Sequence, residues 1–573
     1  SHVTNARFTT EDKYVVTTGG NDRCVFQWRV AGAKRDDADE AKIAFDSDDE
    51  ADFVGGDEIE RSPEQERVNV VDMDMIFAAE EDGGGDEFMA VKPWLGAIVE
   101  PTVPPKFDPS VPDMELSLEW VHGYRAQDAR DNLRYTKAGE MVYTAAAVGI
   151  TLNTEKWLQR FNLTHNDDVI CLAMHPDGIH VATGQMGRKP RVVVWRTDTM
   201  ETVSVIEGFH RRAVCAVAFD KKDGRLLATV GQDDDHTLFV YDWEKERKIY
   251  SEKSDKNKVL AITWLDNNTL VTAGVKHILF WDLKSRTKKK GLWGRAKNVK
   301  IQPLMSLAPI NDGAMLVSGT ASGHIYAWDG RNCVRAVKAH DANVAAMWSC
   351  NAGLVTGGKD GKVRIWTHSL EPKNVFDIAT FGSVRPSIRS VCWDPSTSRL
   401  LIGTIGSEIW EISASDGTSI HADGPLVQGH FKHELWGLAM HPTERKYITA
   451  GDDQTLRVWD IAQRRMTQMT DVGCLTRAVA FSPDGDRIAV GLGGSVGRGK
   501  QAAAGKWLML RTRDLEQLSE TKDSSQWISD VKFSPNGKVL AVGSHDNKIF
   551  LYDASGDDCP LKAMFEKHNS YIT

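Results

Sequence analysis

The feature that most constrains the fold of this chain is a motif that returns at a nearly constant interval. Each copy is an alternating strand that ends in an aromatic residue and follows a tight turn, as in GGKDGKVRIW and GDDQTLRVWD. The copies are spaced by 38 to 51 residues, and their strands end at Trp195, Tyr241, Trp281, Trp328, Trp366, Trp410, Trp459, Leu510 and Tyr552. A period of this length with Trp-Asp endings predicts an all-β chain built from four-stranded propeller blades.

Polar residues at fixed positions in the motif predict a hydrogen-bonded network inside each blade. An Asp stands six residues ahead of the aromatic residue at Asp22, Asp360, Asp453 and Asp546. Two copies also carry a His and a Thr, which gives the sets His340, Thr356, Asp360 and Trp366, and His430, Thr449, Asp453 and Trp459. Because buried polar groups need partners, we interpret both sets as structural rather than catalytic or metal-binding.

One stretch ahead of the repeats has a different pattern. Met114, Leu116, Leu118 and Trp120 alternate along the chain, and a second apolar run extends from Met141 to Ile150. A charged turn separates the two runs. The period of two, without the 3.6-residue spacing of a helix, predicts a buried β hairpin between Asp113 and Phe161.

This stretch also resembles a known family. The blocks HGYRAQDARDNL (His122 to Leu133) and AAAVGI (Ala145 to Ile150), followed by the repeats, resemble the HELP motif and first blades of the echinoderm microtubule-associated protein-like family. The resemblance covers Asp113 to Thr573. It implies two tandem WD-repeat propellers with the HELP segment in their shared core.

The resemblance also implies a function, namely that of a scaffold that binds and stabilises microtubules in the cytoplasmic cytoskeleton or in ciliary or flagellar doublets. Tubulin and other microtubule-associated or axonemal proteins would then be the partners. The alternative is a general WD-repeat interaction platform, such as a signalling or ubiquitin-ligase adaptor, that does not contact tubulin. An enzyme is not predicted, because the sequence offers no convergent catalytic set.

These patterns divide the chain into four predicted segments. Residues 1–30 resemble the closing blade of a preceding propeller, and residues 31–112 form an acidic and then proline-rich linker. Residues 113–423 contain the HELP segment and a first seven-bladed ring, and residues 424–573 begin a second ring with about three blades. On this interpretation the chain is part of a tandem array.

Charge is distributed unevenly. Asp36 to Glu87 holds 21 Asp and Glu against three Lys and Arg, so the rest of this chain of net charge −10 carries +8. Such a composition predicts a disordered, solvated spacer. By contrast, a stretch of seventeen residues without an acid contains Lys284, Arg286, Lys288, Lys289, Lys290, Arg295, Lys297 and Lys300.

This basic run follows the strand of Trp281 and is predicted to form a loop between two blades, with Trp293 as an apolar anchor. Electrostatic steering would attract an acidic partner such as the tubulin surface. A solvated loop without a partner is the alternative.

Several other classes are not supported. No apolar run approaches the ~18 residues of a membrane span, and no nucleic-acid module is recognised. The eight cysteines form no CxxC pair, which argues against a disulfide framework or a zinc module. GSVGRGKQ (Gly494 to Gln501) nearly matches a P-loop but has Gln501 in place of the magnesium-binding Ser or Thr, and His430 and His433 lack ligand partners. We therefore predict no cofactor, metal or catalytic residue.

Overall fold

The described residues form β strands joined by turns and loops, with one short 3-10 helix at Ile378–Phe381. The computed structural model describes residues 2–30, 114–294, 297–494 and 504–572. No helix in these ranges is long and apolar enough to cross a membrane. The predicted linker, residues 31–112, lies outside the described residues.

The first sheet of the chain combines two segments that are distant in sequence. Its strands, in order across the sheet, are β1 (Val3–Phe8), β2 (Tyr14–Gly19), β3 (Val25–Val30) and β4 (Leu116–His122). Strand β4 pairs antiparallel with β3, with Val25 opposite His122 and Val30 opposite Leu116. The beginning of the HELP segment therefore supplies the fourth strand to the N-terminal blade.

The next 27 strands form the first ring, as we call it. They are β5 (Leu133–Tyr135), β6 (Met141–Ala145), β7 (Val148–Asn153), β8 (Leu158–Asn162), β9 (Val169–Met174), β10 (His180–Gly187), β11 (Val192–Arg196), β12 (Thr202–Ile206), β13 (Arg212–Phe219), β14 (Leu226–Gly231), β15 (Leu238–Asp242), β16 (Arg247–Glu252), β17 (Val259–Trp264), β18 (Thr269–Gly274), β19 (His277–Asp282), β20 (Thr287–Lys290), β21 (Leu304–Ile310), β22 (Met315–Thr320), β23 (His324–Asp329), β24 (Asn332–Lys338), β25 (Val344–Cys350), β26 (Gly353–Gly358), β27 (Lys362–Trp366), β28 (Pro372–Asp377), β29 (Ile388–Asp394), β30 (Arg399–Thr404) and β31 (Glu408–Ser413). The ring has seven blades in six sheets, one of which has eight strands because β10 also pairs with β13. The first strands of successive blades pack against each other, and β29 and β30 return to β5, which closes the ring.

The remaining strands form three further sheets. They are β32 (Leu435–Met440), β33 (Lys446–Gly451), β34 (Thr455–Asp460), β35 (Arg465–Asp471), β36 (Thr476–Phe481), β37 (Arg487–Leu492), β38 (Trp507–Arg511), β39 (Gln517–Thr521), β40 (Ile528–Phe533), β41 (Val539–Ser544), β42 (Ile549–Asp553) and β43 (Leu561–Phe565). Strand β1 packs on β32, β32 on β36 and β36 on β40, so these sheets and the N-terminal sheet make a second arc. The prediction of an all-β, tandem WD-type propeller fold is confirmed.

The position of the N-terminal blade differs from the prediction. We expected Ser1–Val30 to close a propeller upstream of this chain, but its strands lie beside the blade of Trp459. Thr4 Oγ1 donates to Leu435 O at 2.6 Å, and Gln27 Nε2 donates to Ile461 O at 3.2 Å. The shared core of these two blades contains Tyr14, Val16, Val25, Leu435, Leu438, Tyr447 and Trp459. Since a lone blade buries too little apolar surface, packing against this neighbour explains the placement.

The HELP segment is divided between the two groups of sheets rather than confined to the first ring. Strand β4 belongs to the second arc, whereas β5 to β8 form a four-stranded sheet of the first ring. The four alternating apolar residues are also buried unequally, because Met114 and Leu116 are 58% and 51% exposed and Trp120 is 2% exposed. Trp120 shares one core with Val121, Tyr124 and Tyr143, which joins the arc to the ring.

We predict that Trp120 stabilises the junction of the ring and the arc. The change Trp120→Ala leaves a large cavity beside Trp157, whose ring centroid lies 5.2 Å from that of Trp120. The expected loss in the free energy of unfolding is about 3–5 kcal/mol, measured by urea denaturation. Phe8→Ala, at a side chain that is 61% exposed, is the control. Equal unfolding midpoints for the two variants would contradict this role.

Candidate functional site

The basic run forms an edge strand and its flanking turns, not a loop as predicted. Lys288, Lys289 and Lys290 lie in β20, the last strand of its sheet, where Phe280 pairs with Lys289 and Leu279 with Lys290. Lysine is common in an edge strand, because one side of the strand has no pairing partner and faces water. We call Lys284, Arg286, Lys288, Lys289, Lys290, Lys297 and Lys300 the basic edge, and all seven are exposed. Arg295 lies outside the described residues.

Lys288 is held more tightly than its neighbours in the basic edge. Its ammonium lies 2.9 Å from the Glu252 carboxylate and donates to Lys253 O at 2.7 Å. It also lies 5.3 Å from the centroid of the Trp281 ring. Within the described residues, Lys284, Arg286, Lys289 and Lys290 form no ion pair. These four charges are therefore available to an acidic partner, whereas Lys288 fastens β20 to the preceding blade.

Trp293, predicted as the apolar anchor of the basic run, packs on the neighbouring blade. Its ring lies 5.4 Å from that of Trp328 and 6.3 Å from that of Tyr326, both in the following blade. Trp293 thus fixes the segment after β20 to the next sheet. The neighbouring Leu292 is the apolar side chain that remains 45% exposed.

The predicted blade sets are each brought together by hydrogen bonds. His340 Nε2 lies 2.8 Å from Thr356 Oγ1, and its Nδ1 lies 3.0 Å from Asp360 Oδ1. The Trp366 indole donates to the same Thr356 hydroxyl at 3.0 Å. The second set repeats this pattern, with distances of 2.8 Å from His430 to Thr449, 3.0 Å from His430 to Asp453 and 2.7 Å from Trp459 to Thr449. Every polar side chain in these sets is paired, so we assign them a structural role.

Two related networks were missed by the sequence reasoning. His165 Nε2 lies 2.7 Å from Thr183 Oγ1, and Gln185 takes the place of the Asp at 2.8 Å from Nδ1. His210 Nε2 likewise lies 2.6 Å from Thr229 Oγ1. The separation of 18 or 19 residues between His and Thr matches the 16 and 19 of the predicted sets. The His–Thr spacing was the sequence signal that could have identified both networks, because neither contains the His–Asp bond of the predicted sets.

The other two motif aspartates bind backbone and hydroxyl groups. Asp22 Oδ1 accepts the Cys24 amide at 3.0 Å, and Asp546 Oδ2 accepts the Ser524 hydroxyl at 2.8 Å. Asp22 thus binds within its own turn before the third strand, whereas Asp546 ties that turn to the segment before the first strand of its blade. The motif Asp therefore lies in the turn before the third strand in all four blades. In two of them it also binds a histidine from the segment before the blade.

Burial controls the ionisation of these networks. It lowers the pKa of His165 and His210 to about 4 and that of His122 to about 3, and it also lowers the pKa of His430. Burial alone would raise the pKa of Asp360, but the hydrogen bond and charge of His340, with the amides of Asp341 and Lys362, bring it to about 2. Burial therefore favours the neutral form of the His165, His210 and His430 rings, and the contacts of Asp360 favour its ionised form.

One group of side chains has the composition of a metal site. His175, Asp177 and His180 offer ligand atoms that lie within 4.8 Å of one another. Asp177 already binds both rings, at 2.9 Å and 2.6 Å, and accepts the amides of Ile179 and His180. These contacts close the turn between β9 and β10, so the cluster has a structural function without a metal. Of the P-loop-like stretch, only Gly494 lies in the described residues.

Comparisons with known proteins match most of the chain. The model of the echinoderm microtubule-associated protein first beta-propeller matches residues 158–412, that of the second beta-propeller matches residues 435–573, and the HELP motif matches residues 111–150. Echinoderm microtubule-associated protein-like 2 of Mus musculus is 34% identical over 485 residues, which cover 81% of this chain and 71% of the relative. The human protein of that name is 33% identical, with 87% and 77% covered. The 77 kDa echinoderm microtubule-associated protein of Lytechinus variegatus is 33% identical, with 81% and 69% covered.

We predict that removing the Asp360 carboxylate destabilises the chain. Asp360→Ala leaves the His340 ring and two amides without an acceptor, which costs about 1–3 kcal/mol in the free energy of unfolding at neutral pH. Because the folded pKa lies below the usual value for Asp, the difference from wild type shrinks as the pH falls from about 4 toward 2. Asp341→Ala, at the exposed neighbouring residue, is the control. Identical urea midpoints for Asp360→Ala and wild type at neutral pH would refute the role.

We also predict that the buried histidines make the fold sensitive to acid. A folded pKa of about 4 for His165 means that the unfolded chain takes up its proton first, so stability is lost as the pH falls from about 6.5. Between pH 7.5 and pH 5, His165→Gln should lose about 2 kcal/mol less than wild type. His568→Gln, at an exposed histidine, is the control. A pH dependence that His165→Gln leaves unchanged would contradict this account.

Proposed function

Because this chain belongs to the echinoderm microtubule-associated protein-like family, we propose that it is a non-enzymatic scaffold protein that binds and stabilises microtubules. The relatives carry microtubule association in their names, and they match both groups of sheets and the segment that joins them. On this proposal the protein works in the cytoskeleton, including ciliary or flagellar doublets. Its action is a matter of binding geometry, since no bond is made or broken.

The basic edge is the observation that supports a direct contact with an acidic polymer. Seven exposed cations lie on one blade and its connections, and within the described residues only Lys288 among them forms an ion pair. A single exposed ion pair contributes about 0.2–1 kcal/mol, so only a cluster of this density provides useful affinity. The charges lie on a closed ring of seven blades, which holds them in a fixed arrangement.

The fold also supports the scaffold part of the proposal. The first ring and the second arc each present their own strand edges and turns, and β4 ties the arc to the ring. Several partners can therefore bind different blades while their relative positions remain fixed. Other microtubule-associated or axonemal proteins are the partners that this arrangement would bring to the lattice.

Neutralising the free cations of the basic edge should weaken microtubule binding. We predict that Lys284→Ser, Arg286→Ser, Lys289→Ser and Lys290→Ser, combined in one variant, reduce the binding free energy by about 1–4 kcal/mol at low salt. Lys288 is kept because it fastens β20 to the preceding blade. Co-sedimentation with microtubules measures the effect, which should diminish as added salt screens the charges.

The matched control removes the same charge from dispersed positions. Lys156, Lys222, Lys359 and Lys373 are exposed and lie on three other blades of the first ring. Changing these four to Ser should leave co-sedimentation close to that of wild type. Equal losses in the two variants would show that net charge alone matters. Failure of the wild-type chain to pellet with microtubules would favour the general interaction platform.

A further inference from the structure

The outer edge of β24 lies next to the basic edge and shares its charge. Strand β24 is the last strand of its sheet, and the stretch RNCVRAVK from Arg331 to Lys338 contains three basic residues and no acid. Val334, in the middle of the strand, is 48% exposed. Arg331 and Lys289 line the same cleft between the two blades, so the positive surface continues from β20 to β24.

This edge already accepts a short strand from its own chain. Leu292, in the segment after β20, forms a parallel bridge with Asn332. The Leu292 amide donates to Arg331 O at 2.8 Å, and the Cys333 amide donates to Leu292 O at 2.8 Å. Beyond Cys333 the outer edge of β24 pairs with no other strand in the described ranges. The main-chain groups of β24 after Cys333 can therefore extend the parallel pairing that Leu292 begins.

Hydrogen bonds orient the basic side chains along the open edge of β24, but within the described residues no carboxylate pairs with them. Arg335 donates to Ser369 O at 2.9 Å, and Lys338 donates to Ser322 O at 3.2 Å. Both acceptors are neutral carbonyls, and among the described residues Arg331, Arg335 and Lys338 form no ion pair. Positive residues on an edge oppose pairing with a second copy of the same edge. The same charges favour an incoming strand that is acidic.

We propose that the outer edge of β24 binds an extended acidic peptide by strand addition, in the parallel direction that Leu292 begins. The proposal rests on the proposed function, in which the partner is acidic, and specifies how a segment of that partner is held. Main-chain hydrogen bonds supply affinity, and alternate side chains supply specificity. Apolar side chains of the peptide would contact Val334 and Leu292, and acidic ones would contact Arg331, Arg335 and Lys338.

The test uses a fluorescein-labelled peptide of alternating Glu and Val residues and measures its anisotropy with the full chain. A second peptide has the same sequence with every amide nitrogen methylated, so it keeps the charge but cannot pair as a strand. We expect the methylated peptide to bind about tenfold more weakly or worse, since it loses several main-chain hydrogen bonds. Equal binding of the two peptides, or no binding of the first, would overturn the proposal.

A pair of variants locates the site. Val334→Glu places a repelling charge on the edge of β24, and Val375→Glu does the same on β28, where Val375 is 47% exposed. Val334→Glu should weaken binding of the unmethylated peptide about tenfold, with Val375→Glu unchanged. Equal effects would overturn the assignment to β24. Thermal unfolding of both variants shows that they are folded, and the methylated peptide tests wild type without any substitution.

Co-sedimentation of wild type with microtubules separates this inference from the proposed function. If wild type pellets but binds both peptides equally, the microtubule proposal holds and strand addition is wrong. If wild type does not pellet, the proposed function fails. In that case the difference between the two peptides still decides whether β24 accepts an acidic strand.

Discussion

The structure depends on how Glu119 is held in β4. Its carboxylate accepts hydrogen bonds from Arg29 at 2.8 Å, from Arg464 at 2.9 Å and from Gln27 at 2.8 Å. Burial alone would raise the pKa of Glu119, but the bond from Arg29 and then the charge of Arg464 keep it low, so the carboxylate stays ionised. Losing one partner of such a buried set leaves an uncompensated charge. Glu119 thus joins the N-terminal blade to the turn before β35, while the chain continues directly into the first ring.

The positions of the surfaces proposed to bind partners depend on this junction between the N-terminal blade and the first ring. Once β4 and the HELP sheet are fixed, each later blade packs on its predecessor, and the outer strands β20 and β24 are left as edges of adjacent blades. The core of each blade is apolar, and sets such as His340, Thr356 and Asp360 pair buried polar groups inside it. The chemistry that remains available lies at the edges, where unpaired cations and open strand groups coincide.

The repeat period made the fold predictable, whereas local placement depended on contacts that a single sequence does not display. The strands that contain Trp366 and Trp459 were located from alternation and turn residues, because those signals are local. The position of the N-terminal blade could not be predicted in this way. It depends on pairing with β4 and on packing against a blade more than 400 residues away. The basic run was interpreted as a loop because consecutive lysines lack apolar alternation, although an edge strand with one solvated edge does not require it. The contacts of the anchor Trp293 could not be predicted, because its neighbours Tyr326 and Trp328 belong to the next blade.

The measurement that most directly tests the account is zero-length carbodiimide cross-linking of the chain on assembled microtubules, read by mass spectrometry. This reagent joins an amine to a carboxylate only where the two are in contact. The account predicts that the cross-links to tubulin carboxylates concentrate at Lys284, Lys289 and Lys290 of the basic edge. Cross-links that concentrate instead at lysines of other blades, such as Lys222 and Lys359, would contradict it.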